Sequence, residues 1–187
     1  PKRAGDRRKN DARDAIELAR LYRSGDLVPV HIPTEEDEKV RDLVRCRGTM
    51  QKHLIAARHH VTKFLTRRNL VYREKSRWTA KHMKWLRDLR SALQGPDKTV
   101  LDEYLSLLEY TLGRRDALDR EIEIHAGLPA YKERVDRLRC FYAVDILTAM
   151  VLLTEVGADL SKFPSAAAFA SWLGLCPDNR ISGGKIL

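Results

Sequence analysis

Two places in this sequence carry residue types at spacings that suit phosphoryl chemistry. Asp11 and Asp14 stand three residues apart at the head of a helical pattern, so both carboxylates lie on one side of a first turn. Hard oxygen ligands placed this way suit Mg²⁺ at a phosphate. A helix N-terminus favours the same acids electrostatically, with Asn10 or Asp11 as the cap. Two carboxylates are also half a site, because a two-metal centre needs further acids from elsewhere. Ser182 stands in Ile181-Ser-Gly-Gly-Lys185. A serine between glycines and a lysine lets a phosphate approach exposed backbone N–H groups, and its hydroxyl is a candidate nucleophile. Ordinary loop composition explains the stretch as well. No histidine is close in sequence to act as its base, which leaves Lys185 or a metal for that part. The histidines, at 31, 53, 59, 60, 82 and 125, form no His-x-x-x-His pair, and none joins a cysteine at a zinc spacing. Trp78, Trp85 and Trp172 read as packing residues, and Trp78, amid Arg77, Lys81 and Lys84, is also a candidate to stack on a base.

The charge says where a polyanion would sit. The 187 residues carry 35 Lys and Arg against 26 Asp and Glu, a formal net charge of +9. Residues 45–90 alone hold 14 basic and 2 acidic side chains, a net of +12. So dense a block repels itself unless counter-charge is near, and nucleic-acid phosphates are the usual source. Candidate phosphate contacts are Arg45, Arg47, Lys52, Arg58, Lys63, Arg67, Arg68, Arg73, Lys75, Arg77, Lys81 and Lys84. The plainer alternative is a solvated basic face packed on the acidic stretch 96–125. With 43% hydrophobic residues the chain is not of the disordered class. No apolar run approaches the roughly 18 residues of a membrane span, and the start, Pro1-Lys-Arg-Ala-Gly, lacks a signal peptide's apolar core. Cysteines at 46, 140 and 176 are too few and too scattered for a disulfide framework, which points to a reducing cytoplasm.

Helices must position these groups, and the periodicity predicts a mainly α fold. Residues 11–24 read as a helix with Gly25 as its stop. The connector 26–33 follows, in which Val28-Pro-Val-His-Ile is able to be extended. Thr34 reads as an N-cap with Glu35, Glu36, Asp37 and Glu38 in the first turn of a helix reaching about 68. Its narrow stripe runs Val40, Val44, Met50, Leu54, Ala57, Val61 and Phe64, with Arg47 intruding. After a basic loop, 69–77, comes a helix over 78–93 with Trp78, His82, Trp85 and Leu89 on one side. A second long helix covers about 97–125. Two long amphipathic helices predict an antiparallel coiled-coil hairpin with the 78–93 helix at its turn; dimerisation through the same seams is the rival. A short charged helix at 130–140, a nearly apolar and buried stretch at 141–157, an alanine-rich helix after Ser165 and a loop at 176–185 complete the chain.

In this order the motifs resemble the bridge-RNA-guided insertion-sequence recombinases, also called DEDD transposases. Lys9-Asn-Asp11-Ala-Arg-Asp14-Ala15 looks like the second half of that family's acidic signature, and Leu27-Val-Pro-Val-His-Ile-Pro33 like the segment after it. Arg41-Asp-Leu-Val-Arg45 resembles the opening of the coiled coil. Leu147-Thr-Ala149, Glu155-Val-Gly157, Phe163-Pro-Ser165, Leu173-Gly-Leu-Cys-Pro177 and Ser182 to Lys185 resemble the transposase-domain signature. Where the family has Pro-Gly-Ile-Gly, this chain has Tyr142-Ala-Val-Asp145.

The resemblance implies three parts. Residues 1–33 are the end of a resolvase-like acidic domain plus linker, 34–127 a basic coiled-coil domain for nucleic-acid binding and dimerisation, and 128–187 the start of a serine-bearing transposase domain. It implies a DNA transposase or site-specific recombinase in which Ser182 attacks DNA. Asp11 and Asp14 are then two of four carboxylates holding Mg²⁺. The implied partners are DNA, a guide (bridge) RNA and a homodimer or higher homo-oligomer, with no membrane, in a bacterial, nucleoid-associated cytoplasmic setting. It implies too that the first two acids precede Pro1 and that the transposase domain continues past Leu187, so that the chain is a fragment inactive alone. Since 168 positions separate Asp14 from Ser182, the resemblance suggests a site shared across a dimer. The alternative is a non-catalytic basic coiled-coil module that binds nucleic acid or dimerises.

Overall fold

The computed structural model describes residues 11–27, 32–157, 159–175, 181, 182, 185 and 186. It divides into two units, Pro1–Thr34 and Glu35–Leu187. In the first, α1 (Asp11–Ser24) carries Asp11 and Asp14 in its opening turn. It ends at Gly25, whose φ of +77° is the left-handed conformation glycine adopts without strain. The amides of Gly25 and Asp26 then donate to the carbonyls of Tyr22 and Leu21. Ile16, Leu18 and Tyr22 on this helix are exposed. The expected extended connector, Val28 to His31, lies outside the described residues.

The second unit is built on two long helices, α2 (Glu35–Arg67) and, after α3 (Ala80–Ala92), α4 (Gly95–Ala126). At 33 and 32 residues each is about 50 Å long at 1.5 Å per residue. Their contacts run in opposite directions along the chain. Arg68 bonds Asp97 at 2.5 Å, Arg47 bonds Asp119 at 2.6 Å, and Val40 and Val44 share a core with Ile122 and Ala126. This is the expected helical hairpin.

The seam between them is apolar at both ends and polar in the middle. One core joins Leu54, Ala57, Val61, Phe64 and Leu65 of α2 to Leu101, Leu105 and Leu108 of α4 and Leu86 of α3. The other joins Val40, Val44, Ile122 and Ala126 to Tyr131, Val135, Ala149 and Met150. Between them lie the Arg47–Asp119 pair and Thr111, whose buried hydroxyl donates to the Leu107 carbonyl at 2.7 Å. Arg47 is therefore where the stripe breaks because it meets a carboxylate across the seam.

The third helix of the hairpin starts later than the periodicity predicts. Trp78 precedes it, at φ +63°, and Thr79 is the N-cap, its hydroxyl accepting the His82 amide at 3.3 Å. A hydroxyl cap just inside the expected start decides the boundary, since its oxygen satisfies an otherwise orphaned N–H. α3 runs back along α4 through Arg87–Glu109 and Arg90–Asp102. Gly95, at φ +58°, turns the chain, and α4 opens there with Pro96 in its first turn, where a missing N–H costs nothing.

α5 (Pro129–Leu138) and α6 (Ile146–Val156) close the far end of the hairpin. Tyr131 Oη donates to Asp37 Oδ1 at 2.8 Å, tying α5 to the start of α2. The apolar composition of 141–157 predicts burial throughout, but only part of it is buried. Ala149, Met150, Thr154 and Val156 are inside, whereas Phe141 and Tyr142 are exposed. The reason is a turn with Ala143 at φ +64°, after which Asp145 caps α6 by accepting the Thr148 amide at 2.7 Å. α7 (Ala166–Trp172) follows, with Phe163 packed on Phe169 and Trp172 at centroid distances of 4.9 and 5.6 Å. The segment read as a loop contains a short antiparallel pair, β1 (Ile181–Ser182) with β2 (Lys185–Ile186). It is the one sheet among the described residues.

Phe64 is fully buried and Tyr110, on α4, is 67% exposed. Phe64→Ala is expected to cost about 3–5 kcal/mol in urea unfolding, and Tyr110→Ala to stay within about 0.5 kcal/mol. Equal effects would contradict this placement of the core.

Candidate functional site

The catalytic candidates fall in separate units. Asp11 and Asp14 occupy the first turn of α1, both exposed. Lys9 and Asn10 of the same motif lie outside the described residues. Ser182 is in β1, paired with Lys185, so the strand register sets serine and lysine directly across from each other. Gly183, Gly184 and Cys176 to Arg180 lie outside the described residues. The oxygen donors of α1 suit Mg²⁺ in kind, but among the described residues no group of three His, Cys, Asp or Glu converges to complete a site.

The basic block divides into two populations. Several members are spent inside the fold. Arg45 makes a two-armed bond to Glu155, at 2.8 Å through both arms, which raises its own proton affinity and holds the Glu155 carboxyl below its usual range. Arg47 bonds Asp119. Arg68 bonds Asp97 and lies over the Phe64 ring at 4.3 Å. Lys81 bonds Glu74 at 2.5 Å. Arg58 stands between the two groups: it lies over the Trp78 ring at 5.2 Å but makes no ion pair among the described residues. The others, Lys52, Lys63, Arg67, Arg73, Lys75, Arg77 and Lys84, make no ion pair among the described residues. All seven are exposed.

Arg73, Lys75 and Arg77 lie on the loop 69–79, and an aromatic platform holds that loop. His82 is buried and contacts Tyr72, Trp78 and Trp85 at centroid distances of 4.6, 5.1 and 5.7 Å. Its Nδ1 accepts the Trp78 amide at 3.1 Å, so the neutral ring carries its proton on Nε2. This bond holds Trp78 in its left-handed backbone conformation. With one face over Arg58 and its edge on His82, Trp78 is engaged by the protein itself. A surface concavity at the loop is lined by Tyr72, Arg73, Glu74, Lys75, Ser76, Thr79 and Lys81.

Sequence reasoning missed His82 as the lock of this loop; the local signal was Thr79 three residues before it, an N-cap spacing. It also missed the docking of two motifs on each other. Arg41 Nε donates to the Thr154 carbonyl at 2.7 Å, and Arg45 bonds Glu155. Arg41 thereby satisfies a carbonyl in the last turn of α6, where cations are favoured. No local signal links residues more than a hundred positions apart.

Comparison with known proteins adds similarity to this geometry. Residues 135–187 match the model of the Transposase IS116/IS110/IS902 family. Over 98% of its length the chain is 34% identical to a putative transposase, y4qE, of Sinorhizobium fredii, and covers 43% of that protein. Over 83% of its length it is 39% identical to the transposase for insertion sequence element IS1533 of Leptospira borgpetersenii, covering 45% of it. A probable family 20 transposase of Pseudomonas aeruginosa is 25% identical over 95% of the chain, which covers 52% of that protein. The chain thus spans about half the length of the curated relatives it matches. No solved structure matches it. Its similarity is to insertion-sequence transposases of the IS110/IS116 type. No helix among the described residues is long and apolar enough to cross a membrane.

Burial, then the nearby Arg77 cation, push the proton affinity of His82 below the ordinary value. A histidine depressed in the folded state contributes stability that is present above its unfolded pKa, about 6.5, and is lost as pH falls. The melting temperature is therefore expected to drop between about pH 7.5 and about pH 5.5, and less so in His82→Asn, which keeps an acceptor that does not titrate. An equal drop in both proteins would mean that this lock is not what titrates.

Proposed function

We propose that this protein is the transposase of an insertion sequence and that it cuts and rejoins DNA. The observation that carries the reading is similarity over nearly the whole chain to proteins named as transposases, joined to a family match that spans Ser182. In this reading Ser182 Oγ attacks a scissile DNA phosphate. The bond from phosphorus to the 3′ oxygen breaks, the 3′ end leaves as a hydroxyl, and the serine holds the 5′ phosphate. Attack by a different 3′ hydroxyl reverses the step and rejoins the strands. In this reading Lys185, the register partner of Ser182, neutralises phosphate charge or takes the serine proton.

Asp11 and Asp14 supply two of the carboxylates for Mg²⁺, with the remaining ligands from groups that the described residues do not gather. The cation, when bound, stabilises charge on the phosphate oxygens. A guide RNA selects the DNA, and the protein works as a homodimer or higher homo-oligomer whose long helices form the coiled-coil contact. The serine of one subunit then meets the carboxylates of another.

In the full-length protein, Ser182→Ala and Asp14→Ala are each expected to lower strand cleavage by at least about a thousandfold. Mixing the two variants is expected to restore part of the cleavage, because one intact serine and one intact acidic set remain. Cleavage undiminished in Ser182→Ala would remove the nucleophile assignment. No recovery on mixing would remove the shared site.

A further inference from the structure

Two observations meet on one flank of the hairpin. The first is the loop 69–79, where Arg73 and Lys75 line a concavity with Tyr72, Glu74, Ser76, Thr79 and Lys81, the Glu74 carboxylate being held by Lys81. Arg73, Lys75 and the neighbouring Arg77 make no ion pair among the described residues. The second is Arg58 on α2. Its guanidinium lies over Trp78 of that loop, its Nε is buried, and it meets no acceptor among the described residues. A buried donor left without a partner is costly, and a like charge close by raises the cost. Arg115 is that like charge. Arg115 itself bonds Asp116 and Asp119, so the carboxylates near it are already engaged. An anion held by the loop cations beside Trp78 would offset the charge of Arg58 without reaching its buried Nε.

We propose that the loop 69–79 and Arg58 form a binding site for a sugar–phosphate backbone, separate from the strand pair that carries Ser182. The proposal rests on the transposase reading and deepens it by naming a second nucleic-acid site and its chemistry. The platform of Tyr72, His82 and Trp85 fixes the loop before the ligand arrives, so less conformational freedom is lost on binding. Arg45, Arg47 and Arg68 are outside this site because internal carboxylates hold them. The backbone comes from duplex DNA or from structured RNA, which share this chemistry.

The test is fluorescence anisotropy on the 187-residue chain. The probes are a duplex DNA and an RNA hairpin, each of about 20 base pairs and unrelated sequence, titrated from about 50 to about 200 mM salt. The triple variant Arg73→Ala/Lys75→Ala/Arg77→Ala is expected to raise Kd about tenfold or more. Its salt slope on DNA is expected to flatten by about 0.9 for each phosphate that the variant no longer neutralises. A charge-matched variant on exposed positions of α4, Lys98→Ala/Arg114→Ala/Arg120→Ala, is expected to keep the slope. Equal weakening in the two variants would overturn the site, leaving only net charge. A response with one probe alone names the source of the backbone. Arg58→Met keeps the stem against Trp78 and removes the charge. It is expected to weaken binding while the melting temperature of the free chain holds or rises. Undiminished binding with a lower melting temperature would make Arg58 a packing residue and overturn its part. Cleavage by the full-length protein does not enter this assay, so its outcome and that of the serine test are independent.

Discussion

The antiparallel pairing of α2 and α4 is the constraint on which the second unit rests. Neither helix could hold its apolar stripe in water alone, because such stripes gain stability only by packing. Once paired, they set every other position. The core around Leu54, Phe64 and Leu105 gives α3 its seat, and the core around Val44, Ile122 and Met150 gives α5 and α6 theirs. The polar stretch between, with Arg47 on Asp119, fixes the register: a slide by one turn would bury an arginine without its carboxylate.

The register has a consequence at the end where α6 docks. Arg41 and Arg45, one turn apart on α2, reach the last turn of α6. Arg41 takes a helix-end carbonyl and Arg45 takes a carboxylate, so a backbone requirement and a charge requirement are met by neighbouring side chains. The segment leading to Ser182 thus starts from a helix anchored directly to the hairpin. Lys162 adds a second cation to the same helix end by donating to the Val156 carbonyl.

The excess positive charge acquires a different meaning in three dimensions. As a linear block, 45–90 looks uniformly available to a polyanion. In the fold, Arg45, Arg47, Arg68 and Lys81 hold carboxylates from α6, α4 and the loop itself. The acidic stretch 96–125 takes Arg47, Arg68, Arg87 and Arg90 of the block, so the plainer reading of a basic face packed on acids holds for part of it. Left over are Lys52, Lys63 and Arg67 on α2, Lys84 on α3, and Arg73, Lys75 and Arg77 on the loop 69–79. A loop is where unpaired charge is tolerated, since it faces solvent and packs on no acidic helix face.

The sequence by itself determined the helices and their order, and left a hairpin and a dimer as rival uses of the two seams. Stripes at steps of three and four, acidic first turns, and the stop at Gly25 are local signals that periodicity along the chain carries. It also pointed to insertion-sequence transposases, the proteins to which the chain is similar. Local pattern misjudged boundaries where a side chain decided against periodicity: Thr79 delayed α3, and the turn at Ala143 turned Phe141 and Tyr142 out to solvent. What tertiary structure alone decided was partnership. Arg45 finds Glu155, Arg58 finds Trp78 while its Nε meets no acceptor among the described residues, and His82 folds back on the Trp78 amide. Ion pairs and buried donors are settled by distance in space, which packing sets and spacing along the chain does not.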